Sequence, residues 1–174
     1  MRSVIMNRNG IKLYNVLFPI WMLIFIPTYL WLLLIPANYL IDRAALYFSL
    51  GNESERSVFC RKNTWKICLA GFLADFAGAF LLFVLLTFQD MFPEGSAFAE
   101  AISQMATNPF GGIAPFMLIA IAIVISGVMI FYLDRWILRN NGLSAVQAAK
   151  SAFWLAFITA PYLFLIPTTM IYRS

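Results

Sequence analysis

Asp75 stands in an apolar run from Ile67 to Gln89 that carries no other formal charge. A carboxylate at the centre of a membrane helix costs about 2.5–3.5 kcal/mol on insertion scales, so it is expected to face other helices and not lipid. Gly71 precedes it by four residues, and Gly78 and Ala79 follow by three and four. Ala70, Ala74 and Gly78 form a second row of small side chains. Such a face lets another helix, or a hydrated ion, approach the backbone closely. Asp75 lies eight residues past Ile67, roughly 12 Å along a helix. Counted inward from the same side, Ser126 and Thr159 reach that level, and Asn38 lies shallower beside Pro36. The expected site is therefore a polar layer of Asp75, Ser126, Thr159 and Asn38. No Lys or Arg shares its depth, which leaves Asp75 protonated, solvated or paired with a bound cation. Two readings stay open: a proton or cation site, or a neutral Asp75 bonded to Ser126 or Thr159 as helix glue. A lone Asp without His, a reactive Cys or a second buried carboxylate is a poor catalytic set, so no catalytic residue is assigned.

Two further acidic residues have a basic neighbour, Asp42 with Arg43 and Asp134 with Arg135. They are read either as switchable gate pairs or as arginines that snorkel to headgroups beside hydrated aspartates. The chain has no histidine, which excludes His-based triads, His-ligated zinc and an imidazole proton shuttle. Cys60 and Cys68 are eight apart and make no C-x-x-C pair. Arg61 and Lys62 beside Cys60 favour a thiolate there, though a structural reduced thiol is the plainer reading. No metal centre and no cofactor is expected.

The elements that must carry these residues are apolar and long. Of 174 residues, 62% are hydrophobic and 11% charged, and the mean hydropathy is +0.81. Soluble domains carry about 25% charged residues, so this chain cannot cover a globule in water. Apolar segments at about 13–41, 67–89, 110–133 and 151–172 each meet the roughly 20 residues a membrane helix requires. Backbone groups in lipid must be bonded internally and no strand-like alternation is present, so the expected fold is an all-α integral membrane protein, a single domain over 1–174 with a four-transmembrane-helix bundle. Trp65, Trp136 and Tyr172 are placed to anchor segment ends at the interfaces. The net charge of +4 is assigned to orientation against the bilayer, and nucleic acid is not expected as a partner.

Eight of the twelve Lys and Arg residues fall in 42–66 and 134–150, while 90–108 holds Asp90, Glu94 and Glu100 and no base. The positive-inside rule places the two basic loops in the cytoplasm, with the cell membrane as the expected location. Arg2, Arg8 and Lys12 conflict with four simple spans. Pro19, Pro27 and Pro36 allow the first segment to re-enter instead of crossing, so both forms are carried forward. In the acidic loop, Ser96 to Met105 is expected to form a short interfacial helix with Ala97, Phe98, Ala101, Ile102 and Met105 on one face.

The two halves resemble each other. Tyr39-Leu40-Ile41-Asp42-Arg43 is matched by Tyr132-Leu133-Asp134-Arg135, then by Gly51 and Gly142, then by Asn52 with Glu55 and Ser144 with Gln147 at capping-box spacing. Two parallel-repeat helical hairpins, 13–89 and 110–172, are expected. The functional expectation is a small transporter- or channel-like protein with a buried proton- or cation-sensitive Asp site. Four helices enclose little space, so a homo-oligomer or larger complex is expected to complete a pathway. The alternative is an accessory or scaffold subunit that docks through the small-residue face.

Overall fold

A computed structural model of the chain describes residues 21–22, 29, 31–51, 56–93 and 95–171. Among them are helices α1 (Trp31–Ser49), α2 (Arg56–Thr87), α3 (Ala97–Thr107), α4 (Ile113–Asn140), α5 (Ala145–Thr159) and α6 (Thr168–Ile171), with 3-10 turns at Gln89–Met91, Pro109–Gly111 and Tyr162–Leu165, and no strand. Three stretches, Arg56–Thr87, Ile113–Asn140 and Ala145–Leu165, are long and apolar enough to cross a membrane.

The helix ends differ from those expected, for local reasons. α2 begins eleven residues before Ile67 and carries Arg61, Lys62 and Lys66 as helical residues, because charge ends an apolar run without ending a helix. α4 likewise runs on past Leu133 to Asn140. It stops where Gly142 takes φ 106° and Leu143 N–H donates to the Leu138 carbonyl at 3.2 Å, a turn that satisfies the last carbonyls. The segment expected at 151–172 is not one helix: α5 starts at Ala145, with Ser144 Oγ accepting from Gln147 N–H at 3.3 Å. It ends at Thr159 before Pro161, whose missing N–H cannot continue the ladder. Of the segment expected at 13–41, residues 31–41 belong to α1, which continues to Ser49. Residues 13–20, 23–28 and 30 lie outside the described residues, and so do Asn52, Glu55 and Tyr172.

The buried face of α2 follows helical spacing through Cys60, Asn63, Thr64, Ile67, Cys68, Ala74, Asp75, Gly78, Ala79 and Leu82, and it packs along α4. α5 packs along the other side of α4, and α1 touches both α2 and α5. The outward faces carry the large apolar side chains, among them Leu69, Leu73, Phe80, Val124, Val128 and Phe157. Along α2 the inward positions are mostly small or polar and the outward ones bulky and apolar, the pattern for helices solvated by lipid, where close approach of backbones contributes to packing.

Two apolar clusters result. One gathers Leu46, Leu50, Ile67, Leu138, Ala148 and Leu155 near the α4–α5 turn. The other gathers Leu82, Ile102, Met105, Ile119, Ile123 and Phe164 at the opposite end. The short helix expected at Ser96–Met105 is α3, Ala97–Thr107, with Ala97 exposed and with Ser96 as its cap, whose Oγ accepts from Ala99 N–H at 3.2 Å. Its buried face is Ala99, Ala101, Ile102 and Met105, set against α4, while Phe98 faces outward and contacts Phe92. Thr168 ties this end together, its Oγ1 donating to the Ala106 carbonyl at 2.9 Å.

Candidate functional site

Between the two apolar clusters the packed helices bury polar side chains at two levels. The deeper level is set by Gly78. A β-carbon there would lie 2.1 Å from Ser126 Oγ and 3.1 Å from the Ala122 carbonyl oxygen, so only glycine lets α4 approach this closely. The approach brings Ser126 Oγ within 3.0 Å of the Ala74 carbonyl, to which it donates. Asp75 follows Ala74 on the same buried face, 9% exposed, and its Oδ1 has no hydrogen-bond partner. The bond between α2 and α4 is thus made by Ser126 and a backbone oxygen, and Asp75 is not its acceptor.

The second level lies about one heptad away. Cys68 precedes Asp75 by seven residues on α2, roughly 10 Å along the axis, and its thiol lies near the Asp42 carboxyl. Asp134 follows Ser126 by eight residues on α4, roughly 12 Å in the antiparallel sense, which brings it to the level of Cys68. Asp42 is close enough to act electrostatically on both Asp75 and Asp134. Asp42 is 5% exposed and Asp134 0%, and neither oxygen of Asp134 has a hydrogen-bond partner. From α5, Ser151 is fully buried with an unpartnered Oγ. Its level follows from the α4–α5 contact, because a β-carbon on Gly127 would meet Ala160 Cβ at 4.0 Å. Seven residues along α4 and nine back along α5 then set Asp134 and Ser151 within about two residues of each other, on the order of 3 Å along the axis.

The expected polar layer is therefore only partly assembled. Ser126 reaches α2 beside Asp75. Thr159 is half-buried and donates its hydroxyl to the Leu155 carbonyl of its own helix at 2.9 Å. Asn38 is half-buried on α1, one turn before Asp42. Of the small-residue face, Ala70, Ala74, Gly78 and Ala79 are buried, whereas Gly71 is half-buried with open space around it. The two Asp–Arg neighbours are not paired as gates would require. Asp42 turns inward to Cys68, neither oxygen of Asp134 is bonded, and Arg43 and Arg135 lie half-buried on other faces. Consecutive helical residues point about 100° apart, so a buried aspartate directs its neighbouring arginine elsewhere.

Burial pushes the Asp42 carboxyl from 3.8 up to about 7, with the nearby Cys68 thiol opposing part of that rise. At the basic end, a cleft of about 530 Å³ is lined by Arg56, Lys62, Asn63, Asn141 and Gln147 among others, and none of the three aspartates reaches it. Lys66 spans the gap beside it, with Nζ 2.9 Å from Asn141 Oδ1 and 3.4 Å from Asn63 Oδ1. Among the described residues, no three His, Cys, Asp or Glu side chains converge closely enough to hold a metal ion. No protein-family model, curated protein or solved structure matches the chain.

Proposed function

We propose that the protein is a small transporter- or channel-like membrane protein whose working site is the buried carboxylate at Asp75. One observation carries the reading. Asp75 sits in the packed seam of two helices with an unpartnered oxygen and within electrostatic reach of a second buried carboxylate. A structural hydrogen-bonding role would give that oxygen a partner, and a cation or proton supplies the missing interaction. In this reading the segment 13–41 crosses the bilayer as a fourth span, and the hairpins 13–89 and 110–172 are repeats. The matched left-handed glycines Gly51 and Gly142, each just beyond a helix that bears an inward Asp, support the repeat. The location is the cell membrane, with the basic stretches 42–66 and 134–150, mostly helix ends, on the cytoplasmic side on the strength of their charge. Association with a second copy completes the pathway.

The accessory-subunit alternative would dock through Ala70, Ala74 and Gly78. α4 already fills the approach to Gly78, so docking there would have to displace Ser126 and Ala122. The test is flux in proteoliposomes under an imposed pH or cation gradient, for the wild type and for Asp75→Asn. The asparagine keeps volume and hydrogen-bonding capacity and removes the titratable charge. Flux lost in the variant supports the site; flux unchanged refutes it, and absence of flux in both favours the accessory subunit.

A further inference from the structure

We propose that the cleft at the basic end of the bundle binds the headgroup of an anionic phospholipid. The cleft holds about 530 Å³, within the range of small-ligand sites, and lies between the start of α2 and the α4–α5 turn. Arg56 and Lys62 line it from α2. Lys66 stands behind its wall, because Asn63 and Asn141 both line the cleft and both turn their Oδ1 atoms to the Lys66 Nζ, at 3.4 and 2.9 Å. Those amide oxygens are thereby engaged by an ammonium group. Ser144 closes the far side as the cap of α5, a 15-residue helix with no acidic residue in its first turn, so the positive end of its dipole adds to the three cations. No carboxylate is among the described residues that line the cleft.

Two of these side chains are free to bond an anion. The Arg56 guanidinium is fixed 4.1 Å over the centre of the Tyr47 ring, and its Nη1 donates to the Gly51 carbonyl, which leaves most of its five donors for another acceptor. Lys62 is exposed and makes no hydrogen bond or ion pair with a described residue. Depth selects a lipid as the source of the anion. Lys62 lies five residues outside Ile67, where the apolar run begins, roughly 8 Å along α2. The headgroup layer on each side of a hydrocarbon core about 30 Å thick measures about 5–8 Å. Trp65 and Trp136, 53% and 65% exposed, mark that layer from α2 and α4. A choline headgroup carries its own ammonium, which would meet Arg56 and Lys62 with no described carboxylate opposite it, so a headgroup of net negative charge is the one that fits. Asp75 plays no part in this site.

The full chain in neutral detergent micelles is titrated with phosphatidylglycerol or phosphatidylcholine, and native mass spectrometry measures the lipid that each chain retains. Phosphatidylglycerol is expected to bind the wild type on the order of tenfold tighter than phosphatidylcholine, and Lys62→Ala to weaken it about fivefold. Arg61→Ala is the control, because Arg61 adjoins Lys62, is exposed and does not line the cleft; it should change the affinity less than about twofold. Lys62→Arg keeps the charge in place and should retain the lipid. Arg56 also braces Tyr47 and Gly51, so the exposed Lys62 carries the test, with helical circular dichroism confirming an unchanged fold. Equal losses in Lys62→Ala and Arg61→Ala reduce the effect to net charge and overturn the site. Equal retention of the two lipids by the wild type overturns the anionic assignment. Soluble glycerol phosphate that displaces phosphatidylglycerol at equal concentration overturns the lipid as the source.

Discussion

Gly78→Ala is the substitution whose effect the packing specifies best. The new β-carbon would sit 2.1 Å from Ser126 Oγ, 3.1 Å from the Ala122 carbonyl oxygen and 3.4 Å from Phe164 Cε2. The serine oxygen can rotate away, but it then loses its 3.0 Å bond to the Ala74 carbonyl. An interhelical bond of this kind is worth about 0.6–2 kcal/mol in a membrane. The Ala122 oxygen is backbone and cannot rotate, so α4 must shift outward, and overpacking of this sort costs about 1–3 kcal/mol. Replacing a helical glycine by alanine returns about 1 kcal/mol. The net expectation is a loss of ~1–4 kcal/mol.

Gly71→Ala is the control on the same helix. No atom lies within 4 Å of its added β-carbon, so it should be neutral or stabilising by up to about 1 kcal/mol. Reversible unfolding in mixed micelles, followed by helical circular dichroism, compares the two. In Gly78→Ala combined with Ser126→Ala, the nearest obstruction is gone, so the double variant should lose less than the two single losses together. Equal stability of the Gly78 and Gly71 variants, or strict additivity in the double, would refute the close-packed seam.

Ser151→Ala removes a buried hydroxyl that has no partner and should leave stability unchanged or raise it by about 1 kcal/mol in the same unfolding assay. Asp42 gives a pH dependence of known sign, because its folded carboxyl titrates near 7 against an ordinary 3.8. The protonated form is favoured by folding, so its contribution is complete below about 3.8 and is lost as pH rises through about 7; unfolding midpoints should fall over that window, and fall less in Asp42→Asn. Lys66→Ala breaks the link to Asn141 and Asn63, and should cost about 0.5–1.5 kcal/mol while raising hydrogen exchange at the α4–α5 turn. Cysteines placed at Ser54 and Asn141 should resist an impermeant reagent in intact cells, and ready labelling at both would invert the proposed orientation.

The helical class and the apolar runs were legible from sequence because they rest on local quantities, composition and the length that crosses a bilayer. Asp75 and Gly78 stood out for the same reason, since a charge amid small residues is visible without a partner. The helix ends were not legible where charge was taken for termination: Arg61, Lys62 and Lys66 sit within α2, and Asp134 to Asn140 within α4. That error concealed a periodic signal. Ser126, Ile130 and Asp134 fall at i, i+4 and i+8 on one buried stripe, as do Cys68 and Asp75 at i and i+7. Once α4 is continued past Leu133, Asp134 belongs to the interior.

What no periodicity could supply was the relation between stripes. Ser126 chose a backbone carbonyl over Asp75, and Thr159 chose its own helix over both. Asp42 turned to Cys68 and not to Arg43, and so came within reach of the carboxyls on α2 and α4. Those choices depend on how far α4 sinks toward Gly78 and where α1 crosses α2 and α5. Such distances arise only when several helices pack at once, because each helix alone specifies a face and a rise but neither a neighbour nor a depth of approach.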